Sequence, residues 1–337
     1  MKNSALLLVI FLLAACSSQP TIEHDLADSP LPWSSQAPDY DQDAVRFAVF
    51  SDLTGGEREG VFETAVAQLN LLRPELIVNV GDLIEGGEDR QELIDQWDSF
   101  DERVSRADAP VIYTGGNHDL MGQTMREVWA ERLGPRYFHV RYRDILFLIL
   151  DTDDHTDERM QEIIEMRTEA YKVAMTEGWD AFGETAYANH PEDETGMISA
   201  EQSAYMQQAL KNNENVRWTF VLSHKAPWAK DDMPTWLAIE AALADRPYTV
   251  FHGHRHAYKH TVRNDRDYIQ LATTGGVFLP QNGPTMDQLV WVTVDSNGAH
   301  IANLKMTGIF DKTGVIPAGG EDLCLKPPCM PNLLPNN

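Results

Sequence analysis

Leu76-Ile77-Val78-Asn79-Val80-Gly81-Asp82 is a short apolar run that ends in a Gly-Asp turn, and it reads as a buried strand that delivers a carboxylate at its carboxyl end. The stretch before it has the same form. Arg46 to Asp52 carries Phe47, Val49 and Phe50 and again stops at an aspartate. Between the two, Val61, Phe62, Ala65, Val66, Leu69 and Leu72 recur at helical spacing. A strand-helix-strand unit of this kind returns its second strand beside the first, so Asp52 and Asp82 are predicted at one edge of one sheet. The pattern continues with a helix over Arg90 to Arg103 and a strand over Val111 to Thr114, after which Asn117 and His118 follow at a strand end.

Further on, Tyr137 to Arg141 and Ile145 to Leu150 read as an antiparallel pair turning at Arg143-Asp144. Residues 153–195 are acidic, with Met160, Ile163, Ile164, Met166, Tyr171 and Met175 partly at helical spacing, and read as an inserted helix and loop at the rim of a site. Ser199 caps a helix to about Lys211, a strand over Trp218 to Leu222 leads to His224, and a helix covers Thr235 to Ala244. Thr249 to Phe251 then runs into Gly253-His254-Arg255-His256. Strands near Tyr268 to Ala272, Leu289 to Asp295 and Ala299 to Met306 are expected to close a second sheet. The fold class is α/β (α+β), a four-layer αββα sandwich of two mixed sheets flanked by helices, over residues 44–310.

Each cluster alone is weak, since a Gly-Asp after a strand is commonly just a turn. In order, however, Asp52, Gly81-Asp82, Gly116-Asn117-His118-Asp119, His224 and Gly253-His254-Arg255-His256 resemble the calcineurin-like metallophosphoesterase superfamily. That resemblance implies the same layered sandwich and a dinuclear centre that hydrolyses phosphate esters with a metal-activated hydroxide. It implies Asp52, Asp82 and His256 on a first metal, and Asp82, Asn117, His224 and His254 on a second, with Asp82 bridging. Carboxylate, amide and imidazole donors suit two divalent ions of Mn, Fe or Zn. His118 is expected beside the metals as the proton donor to the leaving oxygen, with Asp119 fixing its tautomer.

One position departs from the family pattern. Asp-x-His is usual where this chain reads Asp52-Leu53-Thr54. Glu57 or Glu59 in the loop that follows is a candidate to complete the first metal's shell. Thr54 also keeps a second reading open, a catalytically reduced metal-binding envelope protein that retains the fold. His252, which shares the alternating face of His254 and His256, is read as structural or rim, while His155 and His190 in the insert are read as exposed.

The chain has 337 residues, 43% of them apolar, and eight Trp, enough for a sizeable core. A formal net charge of −25 argues against nucleic acid, which needs clustered Lys and Arg, but not against a small phosphate-ester substrate held by cations. Lys2 and the apolar run Ala5 to Ala15, about 11 residues, form a signal peptide over 1–15 that is too short to span a membrane. Leu13-Ala14-Ala15-Cys16 resembles a bacterial lipoprotein signal, which implies acylation of Cys16, and Ser17 after it favours the outer membrane. Residues 16–43, rich in Pro, Ser and Asp, read as a flexible tether on the periplasmic side of the envelope. In an oxidising periplasm Cys324 and Cys329, in the tail 311–337, read as a local disulfide. The oligomeric state has no signature in the sequence. Cys16→Ser should release the protein from the membrane fraction or block its processing, because one residue carries the lipid; unchanged fractionation and processing would refute the anchor.

Overall fold

The computed structural model describes residues 22, 34, 36, 38–229 and 233–326. Two compact units divide at Ala44. The first, Met1–Ala44, has no helix or strand among its described residues. The signal peptide and Cys16 lie outside the described residues, as does Cys329, the second half of the expected disulfide. No helix among the described residues is long and apolar enough to cross a membrane.

The second unit holds two mixed sheets. The first is ordered β11-β10-β1-β2-β3, with β1 (Val45–Phe50), β2 (Leu76–Asn79) and β3 (Val111–Ile112) parallel. Strands β10 (Gln288–Asp295) and β11 (Gly298–Lys305) extend it antiparallel on the far side of β1. The second sheet is ordered β4-β5-β6-β7-β9-β8, where β5 (Ile145–Ile149), β6 (Trp218–Leu222), β7 (Tyr248–His252) and β9 (Arg266–Gln270) are parallel. Strands β4 (Phe138–Tyr142) and β8 (Lys259–Arg263) pair antiparallel at its edges. The expected closure of the second sheet by the last two strands is therefore wrong. Both belong to the first sheet, because alternating Leu289, Trp291 and Thr293 against Val290, Val292 and Val294 gives the central β1 a partner on its open side.

Apolar side chains of the facing strands fill the space between the sheets. Phe47 of the first meets Phe147 and Phe220 of the second edge-to-face, with centroids 5.1 and 4.8 Å apart. Helices α1 (Val61–Leu72), α2 (Arg90–Val104) and α4 (Gln123–Arg132) bury Phe62, Trp97, Phe100 and Trp129 on the outer face of the first sheet. Helices α7 (Ala200–Asn212) and α8 (Pro234–Leu243) do the same for the second, through Met206, Trp236 and Ile239. The order of layers is helix, sheet, sheet, helix. Capping follows the sequence: the Asp89 carboxylate accepts from the Glu92 N–H at 2.9 Å, and the Ser199 hydroxyl from the Gln202 N–H at 3.1 Å.

The insert forms α5 (Asp157–Glu177), the short α6 (Trp179–Phe182) and a 3₁₀ turn at Pro191–Asp193. It has a small core of its own, Met160, Ile163, Ala170 and Tyr187, packed on Met121 just beyond the Asn117–Leu120 turn, α3. Both of its ends are fastened by one fully buried cation. Lys225 Nζ lies 2.9 Å from Asp153 Oδ1 and 2.6 Å from Glu192 Oε1. His155 is not exposed as expected, because it completes this network at 2.5 Å from Glu192 Oε2. His190 is half-buried, lying 2.7 Å from Arg159 Nη2. His252 is buried, packed edge-on against Trp228 at 4.9 Å, and burial pushes its imidazole down to about 3. It is structural.

Candidate metal centre

The parallel ladder of β1 and β2 runs on past both strands. Asp52 N–H donates to the Gly81 carbonyl at 3.2 Å and Leu53 N–H to that of Asp82 at 2.9 Å, which sets the two aspartates side by side. Beyond β6 and β7 the Gly253 N–H donates to the His224 carbonyl at 3.0 Å, and so presents His224 next to the Gly253–His256 turn. The two sheets are joined above their interface by His224, whose Nδ1–H donates to the Val80 carbonyl at 2.9 Å. Asp52, Asp82 and His224 each offer a donor atom, all within 4.8 Å of one another, and all three are buried.

Backbone geometry is strained where these side chains turn inward. Asp52, Asp82, His254 and His256 have φ of 41°, 59°, 73° and 50°, in the left-handed region that costs a residue with a Cβ roughly 1–2 kcal/mol. Glycines supply the clearance: a methyl on Gly116 would overlap Asp82 Oδ1, and one on Gly253 would overlap Asp52 Oδ2. Strain of this kind persists only where the surroundings over-determine it, and it clusters at functional sites.

Each histidine of the site has one ring nitrogen fixed by a backbone carbonyl, which only accepts. His224 Nδ1 faces Val80 O at 2.9 Å, His256 Nδ1 faces Val277 O at 2.6 Å, and His254 Nε2 faces Asp193 O at 2.7 Å. The tautomers follow, and the lone pair on the opposite nitrogen is left for a cation. For His256 that nitrogen, Nε2, lies 3.4 Å from Asp52 Oδ1. For His224 it lies 3.1 Å from both Asp82 Oδ2 and Asn117 Oδ1. The rings of His224 and His254 meet edge-on with centroids 5.1 Å apart. All six expected ligands are thus gathered in one place, and the donor set fits a divalent metal.

Electrostatics agree. Burial raises the Asp52 carboxyl against the opposing pull of His256 and His224. Burial alone would raise Asp82 too, yet the His224 and His118 imidazoles hold it well below the usual carboxylate range. Burial would lower His224, but Asp82 and then Asp52 lift it to about 9, so without a cation Nε2 holds a proton that it donates toward the oxygens of Asp82 and Asn117. A cation competes with that proton, and metal loading weakens as pH falls. His254, pushed far down by burial and by its neighbour His224, is neutral.

Two expectations need correction. Asp119 does not orient His118. One of its oxygens accepts from the N–H groups of Asp82 and Gly116 at 2.9 and 2.8 Å, and the other from those of Leu83 and Ile84 at 2.9 and 3.2 Å. Its work is to fold the loop that carries Asp82. His118 is oriented instead by the Glu85 carbonyl, 2.7 Å from Nδ1, and its own N–H donates to Asp82 Oδ1 at 2.9 Å. Neither glutamate of the 55–59 loop compensates for Thr54. Glu57 pairs with Arg103, Glu59 is exposed, and the buried Thr54 hydroxyl donates to the Ile84 carbonyl at 2.7 Å. Glu85, Asp193 and Arg167 of the insert, whose Nη2 is 3.5 Å from His118 Nε2, are site residues that the sequence did not disclose.

With this geometry in hand, comparison with known proteins is direct. The profile of the calcineurin-like phosphoesterase family matches residues 45–258. The fold is similar to that of purple acid phosphatase PPD1 from yellow lupin seeds, with 13% identity over 80% of this chain and 53% of that one and a TM-score of 0.52. This chain therefore spans about half of the lupin protein. Weaker likeness extends to GAP50, the anchor in the inner membrane complex of Plasmodium, with 12% identity, 81% and 87% coverage and a TM-score of 0.48. It extends also to a 5'-nucleotidase from Candida albicans, with 12% identity, 82% and 56% coverage and a TM-score of 0.46. No curated protein sequence matches.

Asp119→Asn puts an amide NH₂ against two backbone N–H donors. It should weaken metal affinity by about 10–100-fold through the Asp82 loop and cost about 1–3 kcal/mol of stability. Competition against a fluorescent chelator reads the first and urea unfolding the second; unchanged affinity would refute the role.

Proposed function

The chain belongs to the calcineurin-like phosphoesterase family of phosphoester hydrolases, and we propose on that premise that it hydrolyses a small phosphate ester at a pair of divalent ions. Asp52, Asp82 and His256 would hold one ion, and Asp82, Asn117, His224 and His254 the other, with Mn, Fe and Zn all suited to the donors. The observation that carries this reading is the fixing of three imidazoles by backbone carbonyls, with the second nitrogens of His224 and His256 facing the Asp82 and Asp52 carboxylates. When bound, such ions supply charge over the phosphoryl oxygens and an attacking water of lowered pKa.

The protein's own part is positioning and proton transfer. His118 keeps Nδ1–H on the Glu85 carbonyl, so Nε2 is the atom that carries a proton to the leaving oxygen. Asp119 holds the Asp82 loop from behind. The Lys225–Glu192 pair fixes the turn whose next residue, Asp193, presents its carbonyl to His254. Acylation of Cys16 would keep this soluble body at the periplasmic face of the outer membrane. Thr54 supports the second reading, reduced catalysis, since its hydroxyl is tied to Ile84 and the first ion would have one imidazole.

Two variants separate these roles. Asp82→Asn removes the charge both ions share and should lower turnover of an aryl phosphate by several orders of magnitude while the fold persists. His118→Asn should keep the metals and slow turnover by about 10²–10⁴-fold, least with good leaving groups. Near-normal turnover of the first variant at full metal content, or metal loss in the second, would overturn the assignment.

A further inference from the structure

Beside Asn117 and His118 opens a cleft of about 690 Å³, closed on one side by α5 of the insert. Arg167 projects into it. Its Nη1 lies 3.6 Å from Met121 Sδ, its Nη2 3.5 Å from His118 Nε2, and its guanidinium 5.2 Å from the Tyr171 ring centroid, one helical turn on. A guanidinium has five donors and no acceptor. Here it makes no ion pair among the described residues, although the chain carries 52 Asp and Glu against 27 Lys and Arg. Arg58, Arg103, Arg126, Arg132 and Arg263 all pair with carboxylates. A half-buried arginine whose partners are a thioether, the ring and hydroxyl of Tyr171 and one long contact to imidazole, with no carboxylate among them, is a cation kept for an anion that arrives.

We propose that Arg167 binds the phosphoryl group of the substrate, and that this cleft receives the leaving group. The proposal rests on the phosphoesterase reading and narrows it. Exchanging the 3.5 Å contact for a two-pronged, charge-assisted bond to phosphoryl oxygens strengthens the arginine's interactions and frees His118 Nε2 to face the ester oxygen. The cleft has the volume of a small-molecule site rather than a polymer groove. Met121, Ile164 and Tyr171 give it apolar surface, while Glu85 and Glu88 add negative charge to its lining. The substrate class is therefore a phosphate ester of an uncharged, partly apolar alcohol of aryl or nucleoside size. A polyanionic leaving group is repelled.

The test uses the full, metal-loaded chain and its Arg167→Gln and Arg167→Lys variants. Calorimetry with inorganic phosphate should show binding weakened by about 10–100-fold in Arg167→Gln and partly recovered in Arg167→Lys, which keeps the charge but loses the fork. Metal content and melting temperature should not change, and KM for an aryl phosphate should rise more than kcat falls. Wild type should also prefer the aryl phosphate to inorganic pyrophosphate in kcat/KM. Phosphate affinity within twofold of wild type in both variants, no phosphate binding by wild type, or losses that track loss of metal would overturn the role of Arg167. Preference for pyrophosphate would overturn the leaving-group assignment. A wild type that binds phosphate through Arg167 yet hydrolyses no ester would uphold Arg167 as the phosphate-binding residue and reject both the leaving-group assignment and the phosphoesterase reading.

Discussion

Asp52 and Asp82 stand together because the β1–β2 ladder continues one step beyond its strands, with the Asp52 N–H on the Gly81 carbonyl. Everything else in the centre is built against that pair. Two buried carboxylates at this separation repel each other in a medium of low dielectric, and the fold answers with imidazoles from the other sheet and with backbone donors. His254 N–H donates to Asp52 Oδ1 and His118 N–H to Asp82 Oδ1, both at 2.9 Å. The Asp52 carbonyl accepts from the N–H groups of Thr274 and Gly276 and from the Thr273 hydroxyl, so the residue is gripped from behind as well. A divalent cation is the group that best relieves such a site.

That grip explains why four residues with side chains tolerate left-handed backbone. Their conformations turn the functional atoms inward at the moment the chain leaves a strand, and the cost is offset by the apolar contact between the sheets underneath. The insert belongs to the same construction. Lys225, one residue after His224, closes both ends of the insert on the body, and the turn thereby fixed sets His254. The orientation of His254 and the shape of the cleft are thus coupled through a single buried ion network, and truncating Lys225 would leave the buried Asp153 carboxylate without its cation.

Much of this was legible in the sequence. Strand-end carboxylates and histidines announce themselves because the apolar run before each is unambiguous, and the six side chains singled out on the family resemblance lie near one another, Asp52, Asp82 and His224 within reach of a single ion. What misled was contact across the fold. Nothing local distinguishes β10 and β11 as partners of β1 rather than of the second sheet. Asp119 follows His118 directly, yet adjacency in an α3 turn sends its carboxylate toward the Asp82 loop and not toward its neighbour's ring. His155 lies in an acidic, polar stretch that reads as exposed, and only Lys225, far away in sequence, draws Glu192 over it. Arg167 has no local signature, because its meaning lies in the carboxylates it does not meet.

The central claim is that the six side chains form a divalent metal centre with Asp82 shared. Anomalous diffraction from crystals grown with Mn, measured on both sides of its absorption edge, tests it most directly. The expected result is two anomalous peaks, one beside Asp52 and His256 and one beside Asn117, His224 and His254, with Asp82 contacting both, and the peak on the Thr54 side the weaker. Well-ordered crystals with full Mn in solution and no anomalous peak at these residues would contradict the account.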